Sequence, residues 1–207
     1  MACDYAISGG IQQDCVPTAC GYNSAFFIMA WADYNAAVAS GDITVTTSAD
    51  FLAHTVAFKK SSTGSLKPLY SFDERRTAVF SGSTKAKADS PLSIPYFTKS
   101  LQLGVDKNAY MSGDTVGSTD SDGIAAASKL VNVLSAGRFV IIAERIDGKG
   151  FEAFGALSPL KCTAIDQSLA SDDTNNGMIT VTLECTEGDF STAVANSATE
   201  LAAYVKA

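Results

Sequence analysis

The stretch RFVIIAERIDGKGFEAFGA, residues 138–156, decides the fold class. Arg138 to Ile146 is the strongest strand pattern in the chain, a run of β-branched, aliphatic and aromatic residues. Asp147-Gly148-Lys149-Gly150 then supplies a hairpin turn, because glycine tolerates the positive φ that tight turns need. Phe151 to Ala156 is its antiparallel return. The chain is therefore expected to be mainly β.

Downstream, Leu160 to Ile165 and Met178 to Cys185 predict a second strand pair around the polar loop Ser168 to Gly177. In it Ile179, Val181, Leu183 and Cys185 alternate with Thr180, Thr182 and Glu184. Asp189 to Ala207 reads as a polar, Ala/Ser-rich tail. Upstream, Asp122 caps a predicted helix from Gly123 to about Ser135, with an apolar stripe of Ile124, Ala127, Leu130, Val131 and Leu134 and a stop at Gly137. Thr98 to Val105 alternates with Leu101, Leu103 and Val105 on one side. Phe51 to Lys60 does so with Leu52, His54, Val56 and Phe58, and Ile43 to Thr46 follows the turn signal Ser40-Gly41-Asp42. Asn23 to Tyr34, apolar and without helix caps, suits a strand buried on both faces.

These elements predict one mainly β domain over 23–188 that includes one helix, preceded by an irregular arm over 1–22. Ser61 to Pro95 interrupts it as a polar excursion in which Arg76 to Phe80 forms a possible strand. The excursion is too apolar for a solvated linker, yet too broken by Gly, Ser and Pro for a core. Its burial is expected against a neighbouring subunit, through Phe72, Arg75, Arg76, Phe80, Leu92 and Ile94. Tyr5 and Ile7 of the arm would form a second such contact.

Charged residues make up 18% of the 207 residues, below the roughly 25% usual in soluble proteins, as expected if neighbours cover much of the surface. The net charge of -7 lacks the basic footprint of a duplex-gripping protein. No apolar run approaches the ~18 to 20 residues of a membrane span, so no membrane insertion is expected. The first residues lack a basic segment followed by an apolar one, which predicts assembly in a cytoplasm. There the five cysteines, Cys3, Cys15, Cys20, Cys162 and Cys185, would stay free thiols.

Signatures of chemistry are sparse. His54 is the only histidine and shares a strand face with apolar residues. No G-x-S-x-G elbow, phosphate loop or dinucleotide fingerprint occurs. Cys15 and Cys20 lack a second pair at zinc-site spacing. Asp120 with Asp122, and Asp172 with Asp173, sit in turn-like polar stretches where short side chains satisfy the backbone. No catalytic residue, cofactor or metal is expected.

An apolar helix followed by LSAGRFVIIAERIDGKGFEAFGA and the threonine-rich strand GMITVTLECTE, together with an opening segment containing C-D-Y and I-S-G, resembles the tail-tube and major tail structural proteins of phages that infect Bacteroidetes. The likeness covers the first ten residues and about residues 97 to 187. It implies a tail-tube fold, a β-sandwich or small β-barrel with one flanking helix. The subunit would self-assemble as a virion component, stacked as hexameric rings around a channel through which DNA passes without stable binding, in contact with other tail proteins. The alternatives are another virion component, such as a head decoration, connector or tail-tip protein, or a carbohydrate-binding module or small enzyme on a β-sandwich.

Overall fold

A computed structural model describes residues 22–47, 53–59, 69–73, 81–87, 96–106, 111, 120–148, 150–167 and 179–205. In chain order the elements are β1 (Tyr22–Ala30), α1 (Trp31–Ser40), β2 (Ile43–Thr47), β3 (His54–Phe58), β4 (Tyr70–Asp73), β5 (Ser81–Lys87) and β6 (Tyr96–Val105). There follow α2 (Asp120–Ala136), β7 (Arg138–Arg145), β8 (Phe151–Phe154), β9 (Leu160–Gln167), β10 (Ile179–Glu187), β11 (Thr192–Val194) and α3 (Ala198–Ala202). The chain is mainly β, as its sequence predicts.

β7 is the wall on which the rest is built. β1 runs antiparallel along one side of it, with Phe27 opposite Ile142 and Met29 opposite Val140, and β4 lies beyond β1. Along the other side β8 pairs with Ile141 to Glu144, while β9 pairs with Arg138 and Phe139. β8 and β9 thus follow β7 as one interrupted edge, with 155–159 looped out between them. There the sheet forks: β8 leads to β11, β3 and β2, and β9 leads to β10, β6 and β5. The described strands form an open, 11-stranded mixed sheet, in which β11 lies parallel to β3.

The fork explains why β7 is apolar from Phe139 to Ala143. Phe139, Ile141 and Ala143 enter one core with Phe26, Ile28, Leu101, Leu103, Val181 and Leu183. Val140 and Ile142 enter a second with Met29, Tyr34, Val56, Phe58, Phe151 and Leu201. Successive side chains of a strand point to opposite faces, so a strand with a core on each side has no position for a polar residue. β1 is shared in the same way, through Phe26 and Ile28 on one face and Met29 on the other.

Four expectations need correction. The apolar run over 23–34 is not one strand: β1 ends at Ala30 and Trp31 starts a helix that no side chain caps. Alanine-rich sequence favours that helix, and burial of Tyr34 and Ala37 fixes it on the second core. Among the described residues three helices therefore flank the sheet where one was expected. The 61–95 excursion contributes two strands, β4 on β1 and β5 on β6, so part of it belongs to the sheet. The supposed tail from Asp189 is also integral. β11 joins β8 to β3, α3 buries Leu201 completely, and Val205 bridges to Leu69.

α2 occupies the predicted span with three residues more at its start. Ala126, Ala127 and Leu134 are buried, and Leu130 and Val131 pack on the first core. Ile124, by contrast, is 60% exposed. It lies at the edge of the stripe, about 80° around the helix from Leu134 at 3.6 residues per turn. The helix stops at Gly137, where a β-carbon would lie 2.2 Å from the Phe139 ring.

Candidate functional site

Of the residues expected at an assembly contact, the described part of the chain contains only Phe72. Its ring stacks on Phe26 at 4.7 Å between centroids, and the two residues are direct cross-strand partners. Phe72 thus packs, partly buried, against the first core of its own subunit. Arg75, Arg76, Phe80, Leu92, Ile94, Tyr5 and Ile7 lie outside the described residues.

The most enclosed ion pair among the described residues is one that sequence reading missed. Lys99 follows the inward face of β6 with Leu101 and Leu103, and Glu187 follows that of β10 with Leu183 and Cys185, so both point toward the first core. Lys99 Nζ lies 2.6 Å from Glu187 Oε2, with side-chain exposures of 1% and 0%. Glu187 Oε1 accepts the backbone N–H of Leu157 at 2.9 Å and that of Ser158 at 3.4 Å. The carboxylate thereby pins the loop at the fork of the sheet. The Phe154 ring lies 5.7 Å from the ammonium nitrogen. Burial, then the Glu187 charge, pushes the Cys185 thiol up to about 12. The same two causes raise Tyr34 to about 12, and its buried hydroxyl has no hydrogen-bond partner.

His54 is half-buried rather than enclosed in the core, and it too has a partner that the sequence does not announce. Its backbone N–H donates to Asp189 Oδ2 at 2.6 Å, and Nδ1 lies 2.7 Å from the same oxygen. Asp189 is 3% exposed. A buried carboxylate orienting a histidine is one half of a nucleophile-activating unit. Among the described residues no hydroxyl or thiol is hydrogen-bonded to His54, and the pair instead ties β3 to the start of the β10–β11 connection. Phe190, next to it, is 65% exposed and meets Phe97 edge-on.

A third polar group lies at the β7–β8 hairpin. The Tyr22 hydroxyl donates to Glu152, and burial followed by that bond raises the tyrosine well above its usual range. Arg145 makes a two-pronged contact with Asp147, at 3.2 and 2.7 Å. Arg145 and Glu152 border a depression of about 170 Å³ shared with Ser191, Ala193 and Val194. Asp147 and Glu152 already engage the guanidinium, so the arrangement is that of a rigid hairpin base.

Sheet edges are left open. Among the described residues β2, β4 and β5 each have a strand partner on one side only, and beyond Lys161 β9 is paired only with β10. Ile165 on that stretch is 43% exposed. Among the described residues no group of three or more His, Cys, Asp or Glu could hold a metal ion, and no helix is long and apolar enough to cross a membrane. Comparison with known proteins gives no match, whether to family models, to curated proteins or to solved structures.

Proposed function

We propose that the chain is a virion structural protein, the subunit of a bacteriophage tail tube that builds stacked hexameric rings around a channel for DNA. The observation that carries this reading is the open sheet, whose edge strands and half of β9 have no strand partner on their outer side among the described residues. Backbone N–H and C=O groups along a strand edge are templates for another strand, and a closed ring satisfies them without runaway association. The low charge content supports a largely covered surface, and the net charge of -7 supports a channel that repels the DNA backbone. The sequence resemblance supplies the tail assignment, with other tail proteins as partners and the host cytoplasm as the place of assembly.

Negative-stain microscopy and sedimentation of the purified chain test it. Rings or tubes with a central channel are expected. A strictly monomeric protein at high concentration would remove the reading. A copy number per particle as low as that of a connector or tip would transfer it to another virion component.

A further inference from the structure

The Lys99–Glu187 contact places an amine against a carboxyl in a site closed to solvent, with two backbone N–H groups converging on the other carboxyl oxygen. We infer that Lys99 and Glu187 condense to an intramolecular isopeptide bond joining β6 to β10. This inference concerns the subunit alone and does not depend on the assembly reading.

The argument begins with what the contact costs as an ion pair. Two charges withdrawn from water lose much of their hydration, and their mutual attraction recovers this only in part. An amide replaces both charges with one neutral group. Enclosure also supplies the proximity the reaction needs: Nζ already touches Oε2 at 2.6 Å, and reactants held at such contact distance gain the large effective concentrations of intramolecular reactions. The Leu157 and Ser158 N–H groups sit where negative charge develops on Oε1 when the carboxyl carbon becomes tetrahedral.

The bond changes balance within the pair. The proton shared along the Nζ–Oε2 contact passes to Oε2, leaving a free amine and a carboxylic acid. Nζ forms a bond to Cδ, and the C=O electron pair moves onto Oε1 between the two N–H groups. A second proton leaves the nitrogen for Oε2, the Cδ–Oε2 bond breaks, and water departs as the C=O re-forms. One ammonium and one carboxylate become one amide and one water, with no oxidant, reductant or further reactant.

The test is the mass of the full-length chain, denatured after purification and again after prolonged incubation in its folded state. The expected mass is one water below that of the sequence. Tryptic digestion should yield a branched peptide joining the Lys99 segment to the Glu187 segment, with no cleavage after Lys99. Lys99→Arg keeps the charge but replaces the amine, and is expected to restore the full mass. If that variant does not fold, the wild-type peptide map decides alone. A wild-type chain at full mass, with Lys99 and Glu187 in separate peptides, would overturn the inference. So would a water loss that maps to cyclised Asp122-Gly123 or Asp147-Gly148.

Discussion

Gly155 stands where β8 gives way to the loop that lets the sheet fork. Its φ is +82°, and a β-carbon there would lie 2.7 Å from the Phe139 carbonyl oxygen. Gly155→Ala is therefore expected to destabilise the protein by about 1–3 kcal/mol from backbone strain, measured as a lowered midpoint in denaturant. An unchanged midpoint would mean that the loop relaxes freely. Cys185 gives a pH prediction. Its thiol is raised from 9.0 to about 12 in the folded chain, chiefly by burial. A raised folded value stabilises below the unfolded value and is lost as pH climbs, so stability should fall from about pH 9 toward about pH 12. Cys185→Ala should make that fall shallower. Parallel stability–pH curves for variant and wild type would show that the buried thiol has no part in it.

The helices separate periodicity from burial. Leu134 of α2 is 2% exposed and Ile124 is 60% exposed, although both belong to one apolar stripe. Leu134→Asp, and to a lesser degree Leu130→Asp, should cost several kcal/mol by placing an unpaired charge against the first core. Ile124→Asp should change stability by no more than about 0.5 kcal/mol. Thermal melts of the three variants check the ranking, and equal losses would mean that the helix docks through another face. In α3, Ser197 and Glu200 cap each other's backbone N–H groups. The Ser-x-x-Glu spacing that marks this box is legible in the chain itself, but a polar, alanine-rich surrounding disguises it as a tail. Ser197→Ala should cost about 1 kcal/mol, which hydrogen exchange of the Leu201 region would register as lost protection.

Across the molecule, the two arms of the forked sheet depend on segments far apart in the chain. Truncation before Thr192 removes β11, the only strand joining β8 to β3 among the described residues. The truncated chain should lose the β2–β3 arm and expose the second core, seen as dye binding and protease sensitivity; a native-like melt would contradict that connectivity. Ile165→Lys tests assembly. A lysine on an exposed edge discourages strand pairing, and a surface change should leave monomer stability within about 0.5 kcal/mol of wild type. The variant is expected to melt like wild type and to fail to form rings. Normal rings would place the subunit contact away from the free edge of β9.

Residue spacing alone suffices for the strands with strong local periodicity, namely the β7–β8 hairpin, the β9–β10 pair, β6 and β2, and for the existence of α2. In each, the pattern along the chain states which residues share a face. What lies across from them is settled by the fold. β4 is short and β5 is polar, and their strand state comes from pairing with β1 and β6 rather than from composition. α1 follows a strand of equal apolarity with no cap between, and its helical state is fixed by packing Tyr34 and Ala37 onto the second core. Lys99 and Glu187 are 88 positions apart, His54 and Asp189 are 135, and each pair meets only because the sheet register aligns its strands. Local physics acts over a few residues, whereas a buried charge is tolerable only once a distant partner has been brought against it.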